Sequence, residues 1–344
     1  MKVLILTANY GNGHYAIAKQ LKKQYIEKDY EVIMVNPHYL KRKYIAKLIE
    51  LNYENIAKNS RKRVVKDSYG IMFELFANKL GDHITKFGRS AIKDLTKTES
   101  PDLIIFTFPF NIKLENVKTQ MVVTDYGFSK VWLNTSIDNY IVGSNEVYDG
   151  LLKYIPSSKI SLSGIPCSSI MHYQRKAHNI NSVLINLGAF GIGNINKLLK
   201  LINSLLEKKL KVTVICGRNK KIYTKLSEIY EFNKSIIIQS FTKEIHLLYK
   251  THDLLVTKAG GITISEAINA EIPMVINQTD SLTGQEELNV QFIQNSNLGL
   301  ISNYKNISKV ILQLYKENNS NGNKEYIQMV NNLKNLKQKY NQNK

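Results

Sequence analysis

The feature that most constrains this chain is an alternation, made twice over, of short β-branched runs with segments of helical period. The runs of the first half are Val3–Thr7, Val32–Val35, Leu103–Thr107, Met121–Thr124 and Tyr140–Gly143. Those of the second are Val183–Leu187, Val212–Cys216, Ile236–Gln239, Leu254–Thr257 and Met274–Ile276. Between them, Asn194–Lys208 sets Ile195, Leu198, Leu199, Ile202 and Leu206 on one helical face. Strands that alternate with helices read as parallel sheets with crossover helices. At 344 residues the chain is too long for one ordinary core and long enough for two. The first alternation ends near Ser163-Gly164-Ile165-Pro166, and a polar stretch, His172–Asn181, precedes the second. The expectation is an α/β protein with one Rossmann-like domain over residues 1–168 and another over 180–316, separated by a cleft. The Asn/Lys-rich residues 317–344 read as a tail, a surface helix with a frayed end.

Three loops carry chemistry. Gly11-Asn12-Gly13-His14-Tyr15-Ala16 follows the first strand and nominally meets the dinucleotide fingerprint. The second strand, however, ends Val35-Asn36-Pro37, without the carboxylate that would hold a ribose, which argues against a nicotinamide or flavin. What remains is a backbone open to close approach and a helix N-terminus aimed at the ligand. His14 stands in that first turn, where the positive end of the helix favours the neutral imidazole a general base needs. The second loop, Thr257–Glu266, again joins strand to helix, and its N–H groups suit a diphosphate. Glu266 has two readings, a carboxylate for the ribose hydroxyls or the partner of Thr263 in a capping box. The third, Thr283-Gly284-Gln285-Glu286-Glu287-Leu288-Asn289, is either a sugar site or an acidic first helical turn.

The formal net charge of +19 favours polyanionic partners. Part of it is concentrated: Lys41–Lys66 holds nine basic residues against Glu50 and Glu54. No zinc-finger spacing and no aromatic-basic run points to nucleic acid. Two cysteines and seven scattered histidines form no metal-ligand spacing, so no metal is expected. The apolar start, Val3–Leu6, is too short for a signal core, and no segment nears the ~20 apolar residues of a membrane span, so a cytoplasmic location is expected.

These pieces occur in one order: Gly11–His14, Val123–Tyr126, Gly164–Pro166, Gly188–Gly191, Ile215–Gly217, Thr257–Glu266 and Gly284–Glu286. In that order the chain resembles the processive diacylglycerol glucosyltransferases and monogalactosyldiacylglycerol synthases, relatives of the peptidoglycan N-acetylglucosaminyltransferase, over residues 1–315. The resemblance implies a GT-B fold, a lipid acceptor on the N-terminal half, a UDP-sugar on the C-terminal half, and inversion without a metal or other cofactor. It makes His14 or Asp125 the base and Glu266 the ribose ligand. It gives Gly260, Gly261, Thr263 and Lys258 to the diphosphate, and Gln285, Glu286 and Asn289 to the sugar. Phe241 and Thr242 fall near the uracil, and Gly13, Gly188 and Gly217 among the donor-binding loops. The acceptor is diacylglycerol or, as an alternative, a polyprenyl-linked intermediate; a silent UDP-sugar-binding protein is a further alternative. Ser129 stands where family members usually carry histidine, and Thr283 where proline is common. Lys41, Arg42, Lys43, Arg61, Lys62, Arg63 and Trp132 are the expected contacts to an anionic membrane and the acceptor, within a basic, apolar-rich segment suited to an interfacial helix.

Overall fold

The computed structural model describes residues 1–9, 12–40, 43–44, 47, 88–168, 175, 179–278, 284–316 and 323–343. The chain divides into two compact units, Met1–Cys167 with Tyr340–Lys344, and Ser168–Lys339.

Unit 1 is built on six parallel strands: β1 (Lys2–Leu6), β2 (Glu31–Val35), β3 (Leu103–Phe106), β4 (Lys118–Val122), β5 (Asn139–Val142) and β6 (Ile160–Leu162). They lie in the order β2-β1-β3-β4-β5-β6. Unit 2 repeats the plan with β7 (Ser182–Asn186), β8 (Lys211–Ile215), β9 (Ile236–Gln239), β10 (Leu254–Thr257), β11 (Met274–Asn277) and β12 (Gly299–Ser302), ordered β12-β11-β10-β7-β8-β9. Every strand pair is parallel. The central strands read VLIL, LIIF and SVLIN because helices cover both faces of such a sheet and leave no side for water. In each sheet the chain moves outward one way and then returns to the other side of its first strand. The direction of build therefore reverses beside β1 in unit 1 and beside β7 in unit 2. Such a reversal opens a crevice at the carboxyl ends of the strands, where doubly wound sheets take ligands.

The helix expected at Asn194–Lys208 spans Ile195–Leu206, and the Asn194 side chain caps it by accepting from the Lys197 amide at 3.2 Å. Leu198, Leu201, Ile202 and Leu205 face the unit 2 core. Two strands went unread in the sequence, β6 and β12. Both are weak as sequence signals: β6 has three residues and β12 opens on glycine.

The expectation of a frayed surface tail is corrected. Lys324–Gln342 forms a helix whose Tyr326, Met329 and Val330 belong to the unit 2 core. Asn323 is fully buried; its Oδ1 accepts from the Tyr326 amide at 2.9 Å, and its Nδ2 donates to the Leu314 carbonyl at 2.8 Å. Composition suggested a polar tail, but one buried asparagine both caps this helix and ties it to the end of the helix Ile307–Lys316. Tyr340 belongs to unit 1, where its hydroxyl donates to the Gly143 carbonyl and its ring packs on Gly164.

At the edge pair β11/β12, Gly299 lies opposite Met274, and a Cβ added there would stand 2.3 Å from the Met274 carbonyl oxygen. Backbone on backbone has no rotamer with which to relax. Gly299→Ala should therefore destabilise unit 2 by about 1–3 kcal/mol, read as a lowered midpoint in urea unfolding followed by circular dichroism. An unchanged midpoint would show that the strands separate at no cost.

Candidate active site

The crevice of unit 1 is formed by the ends of β1, β3 and β4. The helix Asn12–Ile26 starts there and anchors itself through fully buried Ile17 and Ala18 and nearly buried Leu21. His14 lies in its first turn. Its Nδ1 stands 2.7 Å from the carbonyl oxygen of Thr107, just past β3, and 3.1 Å from Thr124 Oγ1, just past β4. A carbonyl only accepts, so Nδ1 carries the proton, Thr124 takes a share of it, and Nε2 is left with its lone pair. Phe108 meets the imidazole edge-on, ring centroids 5.3 Å apart, and Trp132 lies 5.9 Å away. Burial in these surroundings pushes the His14 pKa down to about 4, while the Thr107 carbonyl opposes the shift. His14 is thus neutral and held in one tautomer, the state of a general base.

Asp125, in the same crevice, accepts from Trp132 Nε1 at 3.3 Å. Trp132 is only 1% exposed, which corrects its reading as a membrane or acceptor contact: the indole is buried between His14 and Asp125 and orients both. Ser129, at the position of the family's histidine, caps the short 3-10 turn Lys130–Trp132 by accepting from the Val131 amide. Of the expected membrane residues, Lys43 is exposed; Lys41, Arg42, Arg61, Lys62 and Arg63 lie outside the described residues.

The crevice of unit 2 lies at the ends of β7 and β10. A small cavity of about 20 Å³ sits there, lined by Asn186, Leu187, Thr257, Lys258, Asn277 and Tyr304 among others. The helix Gly261–Ala270 begins at its edge with Gly260 as N-cap, and no side chain caps it. Thr263 therefore sits inside the first turn, and the Thr-x-x-Glu capping box is not formed. A Cβ on Gly260 would meet nothing nearer than Thr263 Oγ1 at 3.7 Å, so the space over the helix start is open. Glu266 lies further along this helix. Burial of its carboxyl raises the pKa to about 7, and the neighbouring Tyr249 hydroxyl pulls the other way.

Lys258 Nζ pairs with Glu286 at 2.6 Å, joining the second and third loops. Asn289 is corrected from sugar ligand to brace: it is 1% exposed and its Nδ2 donates to the Ala259 carbonyl at 3.0 Å, fixing the glycine loop from behind. The side chain of Gln285 lies outside the described residues. Gly217 adopts φ +57, and a Cβ there would approach the Gly188 carbonyl oxygen to 2.2 Å, so the loops after β7 and β8 interlock through backbone. Lys258 Cε stands 3.5 Å from where a Gly188 side chain would begin. Phe241 is 42% exposed beneath the Arg218 guanidinium, 5.0 Å from the ring centroid, and Thr242 Oγ1 accepts from the Glu244 amide to shape the following turn. Gly13, in the first turn of the unit 1 helix, has open space where its side chain would be.

Sequence reasoning missed Thr107, Thr124, Arg218, Asn186 and Tyr249. Thr107 acts through its carbonyl, which leaves no signal in side-chain type. Among the described residues no cluster of three or more His, Cys, Asp or Glu is placed to hold a metal, and no helix is long and apolar enough to cross a membrane.

Two parallel doubly wound units, each with a glycine-rich segment at its point of reversal, make a GT-B fold. The chain is similar over nearly its whole length to a glycotransferase of kitacinnamycin (TM-score 0.65, 10% identity, 99% of this chain and 95% of that one). It is also similar to MurG of Acinetobacter baumannii (TM-score 0.59, 13% identity, 98% and 94%). Residues 14–167 match the family model of monogalactosyldiacylglycerol (MGDG) synthase, and residues 182–343 that of the glycosyltransferase family 28 C-terminal domain. Proteins named processive diacylglycerol beta-glucosyltransferase, from Bacillus cereus (strain G9842) and Bacillus cytotoxicus (strain DSM 22905 / CIP 110041 / 391-98 / NVH 391-98), are each 28% identical to it. The match covers 87% of this chain and 81% of theirs. The chain belongs to this family, that of the diacylglycerol glucosyltransferases and MGDG synthases within glycosyltransferase family 28.

The tautomer of His14 is open to measurement. A folded pKa of about 4 lies below the ordinary value of 6.5, so the imidazole stays neutral throughout pH 5.5 to 8. Long-range ¹H–¹⁵N spectra should show a constant Nδ1–H form over that range, and a titration near pH 6.5 would contradict the geometry drawn here.

Proposed function

We propose that this protein transfers a hexose, glucose by preference and galactose as the second choice, from a UDP-sugar to the hydroxyl of 1,2-diacylglycerol, making membrane glycolipid. The carrying observation is the neutral, tautomer-fixed His14 at the reversal of the unit 1 sheet. Support comes from the names of the family model over residues 14–167 and of the relatives, which act on diacylglycerol. The word beta in the relatives' name fits inversion, since UDP-glucose carries its sugar in α linkage.

In this reading His14 Nε2 takes the proton of the acceptor hydroxyl as its oxygen attacks the anomeric carbon. The bond from that carbon to the diphosphate breaks, and UDP leaves with the extra negative charge. The open helix start at Gly260–Gly261 and the Lys258 ammonium stabilise that charge. Glu266 accepts the ribose hydroxyls, Phe241 stacks on the uracil, and Gln285 and Glu286 hold the sugar. Asp125, set by Trp132, is the second candidate for the base. No metal takes part, because the helix start and lysine compensate the charge.

The test incubates the full chain with radiolabelled UDP-glucose or UDP-galactose and diacylglycerol, then extracts the lipid. Labelled glycolipid should form and should survive EDTA. Loss on chelation, restored by magnesium, would refute the donor site as drawn. His14→Ala should lower kcat by about 10²- to 10⁴-fold with UDP binding preserved. An active His14→Ala enzyme would move the base to Asp125.

The protein works, in this proposal, as a peripheral enzyme on the cytoplasmic face of an anionic membrane, since a diacylglycerol hydroxyl lies at the bilayer surface. Each basic residue near such a surface contributes about 1 kcal/mol, screened by salt. Sedimentation with phosphatidylglycerol vesicles should be strong at low salt and weaken as salt rises. Replacing Lys41, Arg42, Lys43, Arg61, Lys62 and Arg63 by glutamine should remove most of it, and unchanged sedimentation would sink the docking role of this segment.

A further inference from the structure

Tyr140 stands on β5, opposite Met121 of β4, and its side chain is fully buried in the unit 1 core. Its hydroxyl meets one short stretch of chain three times. The oxygen accepts from the Asn134 amide at 2.8 Å. Its one proton is shared between the Asn134 carbonyl at 2.8 Å and the Trp132 carbonyl at 3.1 Å. Burial pushes the phenol pKa up to about 12, so that proton is present throughout the neutral range. A buried tyrosine needs one partner for its hydroxyl. This one closes instead on the backbone at both ends of the segment from Trp132 to Asn134.

The segment so held leads to the base. Trp132 ends the 3-10 turn Lys130–Trp132, and its amide donates to the Ser129 carbonyl at 3.1 Å. Its indole Nε1 donates to Asp125 Oδ2 at 3.3 Å, and its ring lies 5.9 Å from the His14 imidazole, inclined at 50°. The first contact is long for a hydrogen bond and the second is ring packing, so neither fixes the indole by itself. The direction of the indole is set where its backbone is set, at the Tyr140 hydroxyl. Asn134 is secured on its other side as well, where Nδ2 donates to the Ile112 carbonyl at 2.9 Å. β5 is paired on both edges, to β4 and to β6. Beyond the end of β4 the Val123 amide still donates to the Ile141 carbonyl at 3.0 Å, one residue before Thr124 and two before Asp125. Tyr140 and the groups that Trp132 touches are therefore carried by neighbouring strands of one sheet.

We propose that Tyr140 is a positioning residue for the transfer reaction: its hydroxyl fixes the Trp132 turn and, through the indole, sets Asp125 and the His14 imidazole toward the acceptor. The assignment rests on the reading of His14 or Asp125 as the base and extends it to a strand residue that the motifs do not include. A tyrosine that only fills the core would cost stability on losing its hydroxyl and leave the base where it was. One that sets the turn changes the surroundings of the indole and the chemical step together.

The chain has a single tryptophan, so its fluorescence reports Trp132 alone. The experiment compares the full chain with Tyr140→Phe by emission maximum, by acrylamide quenching and by the kinetics of transfer to diacylglycerol from the UDP-sugar that the wild type uses. It is run at a temperature where circular dichroism shows both folded. Tyr140→Phe keeps the ring and should shift the emission to the red and raise the quenching. Its kcat should fall by about 10- to 100-fold, the cost of a small misplacement of a catalytic group, with the KM for the UDP-sugar unchanged. In a Trp132→Phe background the same substitution should lower kcat little further, because the two residues act in series. Should Tyr140→Phe fold poorly, Asn134→Ala cuts the tie to Ile112, leaves the buried ring in place, and should move emission and kcat in the same direction. Emission and kcat unchanged in the variants, with the wild type active, overturn the role of Tyr140 alone. A loss of kcat fully additive with that of Trp132→Phe does the same. A wild type that forms glycolipid from neither UDP-glucose nor UDP-galactose overturns the transfer reading, and this assignment with it.

Discussion

A parallel sheet cannot be built outward in both directions without leaving a gap where the direction turns, and everything functional in this chain hangs on that constraint. The first strand of each unit ends up between a neighbour laid down next and one laid down later, β1 between β2 and β3, β7 between β8 and β10. Helices that leave such strands diverge to opposite faces and cannot close over the strand ends. The glycine loops Gly13–His14 and Gly188–Gly191 follow these two strands directly. The loop Lys258–Gly260 follows β10 across the same gap. The placement of the ligand crevices is thus a consequence of strand order, and side-chain identity decides only what chemistry occupies them.

Within the crevices, backbone groups do the directing. A carbonyl accepts and never donates, so the Thr107 oxygen decides which nitrogen of His14 keeps its proton without any titratable group to tune. The Gly188 amide does the converse in unit 2, fixing which end of the Asn186 carboxamide faces Tyr249. Fixing proton positions with backbone has a physical advantage over doing so with ionisable side chains, since a main-chain dipole is unaffected by pH and loses no rotamer entropy when it orients a partner. Bulky residues complete the arrangement. Trp132 and Phe108 flank the half-buried His14 ring, and buried Asn289 keeps the 258–260 loop in place.

The doubled α/β plan was legible because buried parallel strands are written as apolar runs, and β6 and β12 escaped because one has three residues and the other opens on glycine. His14 and Glu266 were legible by position, each in a helix that follows a glycine loop. The rival explanation of Glu266 fell only with the helix start at Gly260, since a shift of three residues separates a capping box from an interior carboxylate and sequence alone leaves that shift open. Trp132 and Asn289 were misread for one reason: both are residue types that bind ligands when exposed, and both are 1% exposed. Thr107 left no trace, because it acts through its main chain. Motifs therefore name the groups that meet a ligand, while the groups that aim them are spread through sequence that has no pattern of its own.

In the proposed reaction the two crevices have opposite electrostatic demands, and each lies over a separate core. A base that must stay uncharged near neutral pH calls for apolar, aromatic surroundings, which around His14 are Phe108 and Trp132 and which drive its pKa down to about 4. A site for a nucleotide diphosphate calls for positive potential held ready, and that is costly to leave uncompensated. Lys258 is two-thirds buried, and its charge is balanced by Glu286 at 2.6 Å. An apolar crevice of the kind that surrounds His14 would penalise a cation placed in it. The two groups stand on different sheets, each with its own core cluster, so each environment is built without compromise to the other.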